Sequence, residues 1–305
     1  MDIDVSVIIP TYNRVRYIAE AINSILNQTY QNYEILVVDD GSTDETQKAV
    51  AAIESEKIRY FYRDHQGISL SLNFGINHSR GRYIARLDSD DIFFPEKLKR
   101  QVQLLEANPE VDLVYTQVYN MTEDGKIICA YPESHNLPSE PLRTLRSFLF
   151  APSQSIMFRR DCIEKIGAYD ENFTVAEDWD FCIRMAQEFK FAYINQPLVK
   201  VRKHAAMITR NGIQKIKHII AVLEKHRELL SLGEGYRWLS PHYYTLGREY
   251  FFIENYELAQ SAFQKALSLS STNFLAMLYF FLCYFPPNFI AQLKSLRRPI
   301  RAKVL

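Results

Sequence analysis

Tyr83-Ile84-Ala85-Arg86-Leu87-Asp88-Ser89-Asp90-Asp91 is an apolar run that ends in three carboxylates within four residues. The apolar part is typical of a buried strand, and carboxylates gathered at the end of such a strand need a cation or strong hydrogen-bond donors. Magnesium and manganese bind one or two protein carboxylates and complete their coordination with water and phosphate oxygens. The stretch therefore predicts a divalent metal site and a phosphorylated substrate.

A second interpretation of the same acids is helix capping. Asp and Ser are good N-caps, and Pro95-Glu96-Lys97-Leu98 has the composition of a first helical turn. The acidic stretch alone is consistent with both a metal site and helix capping.

The composition is that of a globular chain with balanced charge. Its 305 residues allow one large domain or two smaller ones, and 47% hydrophobic content suits a packed core. The 36 basic residues balance 36 acidic ones, so we expect no nucleic-acid partner. The four cysteines are scattered without a C-x-x-C pair, and no signal-peptide pattern precedes the first apolar run. These features predict a reduced, cytoplasmic protein without structural zinc.

Strands and helical patterns alternate along the first half of the chain. The strands are predicted at residues 5–9, 34–38, 58–62 and 82–87. This alternation predicts an α/β fold with a mostly parallel central sheet and helices on both faces. Ligands bind beyond the carboxyl ends of such strands. Three of these ends carry polar residues that we expect to converge on one crevice: Thr11-Tyr12-Asn13, Asp39-Asp40 and Asp88 to Asp91.

One local signal concerns the start of the second helix. Ser42-Thr43-Asp44-Glu45 follows the second strand and has Ser and Glu three residues apart. That spacing predicts a capping box, in which the two side chains cap the first helical turn.

The chain becomes mainly helical from about residue 211. Residues at the spacing of a tetratricopeptide repeat occur between about 240 and 272, namely Tyr243, Leu246, Gly247, Tyr250, Tyr256, Ala259, Phe263 and Ala266. A single unit of this kind cannot bury its own faces, so we expect it to pack on the preceding domain or on the final helices. We therefore predict one domain over residues 1–210 and a helical C-terminal region over 211–305.

An apolar segment near the end of the chain is followed by a basic one. Residues 274–285 are all apolar and stop at Pro286-Pro287, well short of the roughly 18 residues that a membrane span needs. The basic residues that follow are Lys294, Arg297, Arg298, Arg301 and Lys303. A buried terminal helix is the favoured interpretation, and peripheral contact of the C-terminus with an anionic membrane surface at its inner face is the alternative.

Four motifs in a fixed order carry a family resemblance. They are Pro10-Thr11-Tyr12-Asn13-Arg14, Val37-Val38-Asp39-Asp40-Gly41-Ser42, Leu87-Asp88-Ser89-Asp90-Asp91 and Ala176-Glu177-Asp178-Trp179-Asp180. Over about residues 4–205 the chain resembles the family 2 glycosyltransferases of GT-A type. The resemblance implies a GT-A nucleotide-diphospho-sugar transferase fold. It also implies inverting transfer of a sugar from a nucleotide-diphosphate donor to a saccharide or lipid-linked hydroxyl acceptor, in polysaccharide, cell-envelope or glycolipid synthesis.

The resemblance also implies which residues bind the donor. The nucleotide-sugar-binding residues would be Pro10, Thr11, Tyr12, Asn13, Asp39, Asp88 and Ser89. The chemistry agrees, because Tyr12 offers a face for base stacking and Asp39 can accept from a ring N–H. Without the resemblance, Tyr12 could equally be an ordinary loop aromatic, and Asp39-Asp40 could be turn residues.

Metal and base assignments follow from the same resemblance. Asp90 would ligate the divalent metal, magnesium or manganese, and His204, after the last core strand, would reach the metal or the diphosphate. Asp178 would be the base that takes the proton of the acceptor hydroxyl. On chemistry alone, Asp178 could also be a helix N-terminal acid favoured by the dipole, and His204 an ordinary surface residue.

The chain departs from the family pattern at one place. Many family members carry an Asn-x-Gly pattern where this chain has His65-Gln66-Gly67.

A nucleotidyltransferase would also use clustered Asp residues and a metal, although no G-x-x-x-x-G-K-[ST] or G-x-G-x-x-G loop occurs. A non-catalytic interaction protein with a degenerate transferase domain is the other rival. Retention of the acidic motifs argues against it, because carboxylates without a ligand are costly to keep together.

Overall fold

The computed structural model describes residues 3–131, 140–147, 149, 151–204 and 212–285. The chain forms two compact units, Met1–Met207 and Ile208–Leu305. The predicted domain boundary near residue 210 and the basic residues from 294 onward lie outside the described residues.

The first unit is built on one sheet with helices around it. Its strands are β1 Val5–Thr11, β2 Tyr33–Asp39, β3 Ile58–Tyr62, β4 Tyr83–Arg86, β5 Ile92–Phe93, β6 Leu113–Thr122, β7 Ile127–Tyr131, β8 Met157–Arg159 and β9 Phe191–Lys203. Its helices are α1 Ile18–Leu26, α2 Thr46–Ala51, α3 Ile68–His78, α4 Lys97–Ala107, α5 Pro141–Leu145, α6 Cys162–Ile166 and α7 Glu177–Glu188. A short 3-10 turn, Ser153–Ser155, precedes β8.

The strand order is β3-β2-β1-β4-β8-β6-β9-β5, and β7 pairs with β6. The four predicted strands β1 to β4 pair in parallel, as expected from their separation by helices. The other half of the sheet is mixed, because β8 runs antiparallel to both β4 and β6, whereas β6 and β9 are parallel. The apolar runs near the N-terminus therefore form the parallel half of a longer, mixed sheet.

Burial explains why β1 and β2 lack polar alternation. Every residue of both strands is buried, as expected for central strands covered on both faces. Helix α3 lies very close to β1, because a Cβ added at Gly75 would lie 2.5 Å from Ile8 Cγ2. A side chain at position 75 would push this helix away from the sheet.

The second unit is helical in its described part. Its helices are α8 Gly212–Lys225, α9 Arg227–Ser231, α10 Ser240–Phe252, α11 Tyr256–Leu269 and α12 Phe274–Leu282, with a 3-10 turn at Arg237–Leu239. Phe263 of α11 is fully buried beside Gly247 of α10, where an added Cβ would lie 2.5 Å from the Phe263 ring. Ala276 and Tyr279 of α12 belong to the same apolar cluster. No helix in the described part of the chain has both the length and the apolar content needed to cross a bilayer.

Candidate active site

The carboxyl ends of three parallel strands meet at one edge of the sheet. Thr11 at the end of β1 pairs with Asp39 at the end of β2, and Ile8 pairs with Arg86 at the end of β4. The loops that carry the predicted donor residues therefore leave the sheet side by side. Thr11 is buried, and its hydroxyl has no hydrogen-bond partner among the described residues.

Asn13 joins the loops after β1 and β2. Its backbone is left-handed, with φ 52°, a conformation that Asn tolerates better than most residues. The Asn13 N–H donates to Ser42 Oγ at 2.8 Å, and Asn13 Oδ1 accepts from the Thr43 N–H at 2.8 Å. The capping-box prediction is wrong for this reason: Ser42 binds Asn13, and α2 begins at Thr46 after Glu45, without a side-chain cap.

Asp39 is fully buried and its carboxylate is held at both oxygens. Oδ1 accepts from the Ser42 N–H at 2.8 Å, and Oδ2 accepts from the Tyr60 hydroxyl at 2.7 Å. Burial and the contact with Asp39 raise the pKa of Tyr60, which keeps this phenol protonated as a donor. Asp39 is therefore a rigid acceptor at the strand end.

His65, where the chain departs from the family pattern, contacts Tyr12 and Asp40. The His65 ring stacks on the exposed Tyr12 ring, with centroids 4.1 Å apart and an angle of 21° between planes. His65 Nδ1 lies 2.7 Å from Asp40 Oδ2, and the N–H groups of Gln66 and Gly67 donate to the same carboxylate. Asp40 thus fixes the loop after β3 and, through His65, the position of Tyr12.

The acidic stretch after β4 forms a tight turn in which the acids point to different places. The Asp91 N–H donates to the Asp88 carbonyl at 3.0 Å, and Ser89 is buried between them. Asp91 is buried as well, and its Oδ1 accepts from the Arg202 N–H at 2.8 Å on β9. Burial, together with Asp90 and Asp88, raises the pKa of Asp91. Asp91 therefore anchors the turn to β9, whereas Asp88 and Asp90 remain partly exposed.

Asp90 and His204 are direct neighbours. His204 Nε2 lies 2.8 Å from Asp90 Oδ2, and Arg14 Nε lies 3.5 Å from the same oxygen. No group of three or more His, Cys, Asp or Glu side chains able to hold a metal ion is found among the described residues. Two protein ligands nevertheless fit magnesium or manganese, because these ions commonly take their other oxygens from water and substrate phosphates. The Arg202 side chain also contacts Asp90, because its Nε donates to the Asp90 carbonyl at 3.0 Å.

Arg86 links the acidic turn to the start of α7. The buried Arg86 donates through Nε to Asp88 Oδ1 at 2.7 Å and through Nη1 to Glu177 Oε1 at 2.9 Å. Burial disfavours its charge, but the carboxylates of Asp88 and Glu177 outweigh burial and raise the pKa of Arg86. The Arg86 guanidinium, which stays charged, therefore connects the acidic turn after β4 to the start of α7, about ninety residues away in the sequence.

Three acids occupy the first turn of α7 after Ala176, whose backbone is left-handed. Burial raises the pKa of Glu177 to about 7, although Arg86 opposes the shift. Asp180 is fully buried, and its Oδ2 accepts from Arg184 Nε at 2.8 Å. Asp178 alone among these acids is partly exposed.

Asp178 is in contact with a turn that carried no sequence signal. Its carboxylate is hydrogen-bonded by the Ser153 side chain and the Trp179 N–H, while burial raises its pKa against the opposing effect of Arg86. The neighbouring Gln154 donates through Nε2 to Asp88 Oδ2. The 3-10 turn therefore contacts both Asp88 and Asp178, and sequence reasoning missed it because Ser153-Gln154 has no motif spacing.

Comparisons with known proteins bear on the family and the fold of the chain. The family model for "Glycosyl transferase family 2" matches residues 6–167. An uncharacterized glycosyltransferase of Rickettsia prowazekii is 30% identical over 271 residues, which cover 84% of this chain and 83% of the relative. S. aureus TarS 1-349, solved with UDP-GlcNAc, aligns with a TM-score of 0.64 at 17% identity, covering 88% of this chain and 81% of that one.

A second solved structure is a mannosyltransferase from Pyrobaculum calidifontis in complex with GDP-Man and Mn²⁺. It aligns with a TM-score of 0.57 at 18% identity, covering 98% of this chain and 82% of that one. These likenesses confirm the predicted α/β fold of GT-A type followed by a helical C-terminal region.

Proposed function

Because the chain belongs to glycosyl transferase family 2, we propose that it moves a sugar from a nucleotide-diphosphate donor to a hydroxyl acceptor by a single displacement with inversion. The observation that carries this proposal is the Arg86 bridge. Its two ion pairs hold Asp88, on the donor side, next to the Glu177-Asp178 pair, on the acceptor side. One crevice then contains both halves that a direct transfer needs.

The proposed donor site lies along the ends of β1, β2 and β4. Tyr12 provides the stacking face for the base, and Asp39 accepts from its ring N–H, which uracil and guanine both carry. Exposure of the Tyr12 ring and the open hydrogen-bonding capacity of Thr11 support this assignment. The remaining donor contacts in the proposal come from Pro10, Asn13, Asp88 and Ser89.

Asp90 and His204 are the proposed ligands of a divalent cation, magnesium or manganese. Their 2.8 Å separation supports a shared ion, as does the Mn²⁺ in the P. calidifontis mannosyltransferase. When bound, the cation offsets the negative charge that grows on the departing diphosphate. Arg14, 3.5 Å from Asp90, adds a fixed positive charge on the same side.

Asp178 is the proposed general base. It is the partly exposed acid of its turn, and its raised pKa makes the carboxylate a better proton acceptor. In the transfer, Asp178 takes the hydroxyl proton while the acceptor oxygen bonds to the anomeric carbon. The bond from that carbon to the diphosphate oxygen breaks on the opposite face. Ser153 and the Trp179 N–H orient the carboxylate for this step.

The proposed acceptor is a saccharide or lipid-linked hydroxyl, in polysaccharide, cell-envelope or glycolipid synthesis. This part of the proposal rests on the family, whose acceptors carry free hydroxyl groups. The direct test is a panel of UDP- and GDP-sugars with manganese, measuring thermal stabilisation and release of the nucleoside diphosphate. We expect one base to stabilise the protein in a metal-dependent manner. If no nucleotide sugar is bound or consumed, the protein is not the transferase proposed.

A further inference from the structure

Helix α12 has two apolar faces, of which one is covered. Ala276 and Tyr279 are buried in the core of the second unit. The opposite side, called here the α12 apolar face, consists of Phe274, Leu275, Leu278 and Phe281. Phe274, Leu278 and Phe281 follow the i, i+4, i+7 spacing of one helix face and are 72%, 48% and 57% exposed. A helix that is apolar all round normally lies buried on every side.

The sequence that follows this face has an excess of positive charge. Residues 274–285 contain no Lys, Arg, Asp or Glu. The 20 residues that follow, 286–305, contain five basic residues and no acidic one, although the whole chain has 36 of each. An exposed apolar helix is thus continuous with a segment of strong positive charge.

We propose that the α12 apolar face binds the surface of an anionic lipid bilayer. Exposed Phe and Leu side chains enter the boundary between headgroups and acyl chains, and neighbouring Lys and Arg residues are attracted to anionic headgroups. A bilayer therefore matches the apolar face and the adjacent charge together. A second copy of the chain would match the apolar face alone, because it carries the same positive charge in residues 286–305 and offers no acidic partner for it there.

The test uses the full chain and two kinds of vesicle, phosphatidylcholine alone and phosphatidylcholine mixed with phosphatidylglycerol. We expect co-sedimentation with the mixed vesicles, weakened by salt because exposed charges are screened. The double variant Leu278→Glu/Phe281→Glu should bind the mixed vesicles about tenfold less or weaker still. Ile127→Glu/Ile128→Glu is the matched control, because these aliphatic residues of the first unit are 47% and 44% exposed and the variant adds the same two charges, and it should bind like the original chain.

A charge variant, Arg297→Glu/Arg298→Glu, tests the second half of the proposal and should also bind the mixed vesicles more weakly. Stronger binding of this variant to both vesicle types would mean that the C-terminal segment covers the face, and would overturn the proposal. Absence of vesicle binding by the original chain would also overturn it. So would a dimer, seen by size exclusion, that only the α12 variant dissociates. The vesicle measurement involves no sugar transfer, so its failure leaves the proposed catalytic function standing.

Discussion

The acids of the candidate site differ in their hydrogen-bond and ion-pair partners. Arg86 contacts Glu177 and Asp88 directly, and Arg184 contacts Asp180. Asp178 is left with the neutral donors Ser153 and the Trp179 N–H. A carboxylate that is oriented but not paired with a cation keeps its basicity, which is the property a general base needs.

Replacing Asp178 by Asn should separate chemistry from binding. The amide keeps the shape of the side chain but cannot accept the hydroxyl proton, so we expect kcat to fall by about 10²–10⁴-fold. Donor affinity, measured by titration calorimetry, should change little. Glu188→Gln, the same chemical change at the exposed end of α7, is the control and should leave kcat unchanged. Full activity in Asp178→Asn would exclude this residue as the base.

Replacing Asp90 by Ala should remove the metal-dependent part of donor binding. The expected loss in donor affinity with manganese is about tenfold or more, because the substitution removes one of the two proposed ligands of the ion. Without manganese the variant and the original chain should bind the donor alike. Asp124→Ala, at an exposed acid, is the control for the change in charge. Equal manganese dependence in both variants would contradict the metal assignment.

Glu177 should make stability depend on pH. Its pKa is about 7 in the folded protein and 4.5 in its ordinary state, so folding favours the protonated form. That contribution is complete below pH 4.5 and is lost as the pH rises through 7. Relative to Glu177→Gln, the original chain should therefore lose about 1–3 kcal/mol of unfolding free energy between pH 5 and pH 8. Urea unfolding of both proteins at several pH values measures this, and parallel curves would contradict it.

The acids could be found from the sequence, but their partners could not. Asp39, Asp88, Asp90 and Asp178 stand in motifs, and a motif shows which residues can do chemistry. Arg86 sits inside an apolar run, where nothing distinguishes it from a residue that interrupts a strand. Its two ion pairs depend on the approach of α7 to β4, which is a property of the tertiary fold.

At the level of elements, apolar runs in the sequence located the four parallel strands β1 to β4, and polar residues located the ends of β1, β2 and β4. The short strand β8 and the turn Ser153–Ser155 were missed, because three-residue elements have no periodicity to detect. The capping box was predicted from spacing alone, and a long-range partner, Asn13, bound its Ser42 instead. The local spacing gave a wrong prediction because the Ser42 side chain binds a residue that lies far away in the sequence.

The close approach of α10 and α11 can be tested at Gly247. Alanine is the better helix former by about 1 kcal/mol, yet an added Cβ would lie 2.5 Å from the buried Phe263 ring. We expect Gly247→Ala to destabilise the second unit by about 1–3 kcal/mol, because overpacking outweighs propensity. Gly212→Ala, where the nearest atom is 3.2 Å away at the end of the Glu249 side chain, is the control. Chemical denaturation followed by circular dichroism compares them, and equal stability would contradict the packing argument.

At the level of the whole molecule, each of the two units contains a buried apolar cluster. The cluster of the first unit contains β1, β2 and α1, and that of the second contains α10 and α11. The predicted alternation of strands and helices, followed by helices alone, corresponds to these two chain segments. The sequence could not supply the mixed half of the sheet, since antiparallel pairing of β8 needs contacts with β4 and β6.

Donor binding should protect several distant segments of the first unit at once. Hydrogen exchange with a saturating nucleotide sugar and manganese should slow at the strand ends and at the start of α7, because the proposed site draws its residues from all of these segments. A donor at about 100 times its dissociation constant stabilises the bound fold by about 2.7 kcal/mol. Helices α10 and α11 serve as the internal reference and should exchange as before. Protection confined to one of the strand ends would contradict a shared site.

The stacking of His65 on Tyr12 reduces the conformational entropy that the Tyr12 side chain could lose when a ligand binds to it. Side chains that are free before a ligand arrives lose about 0.5–1.5 kcal/mol each in rotational entropy when they are immobilised. Here the imidazole, clamped by Asp40, has already restricted the phenol ring. In the proposed donor site, an incoming nucleobase would therefore stack on a side chain that is already restricted, and less of the stacking free energy would be lost to ordering.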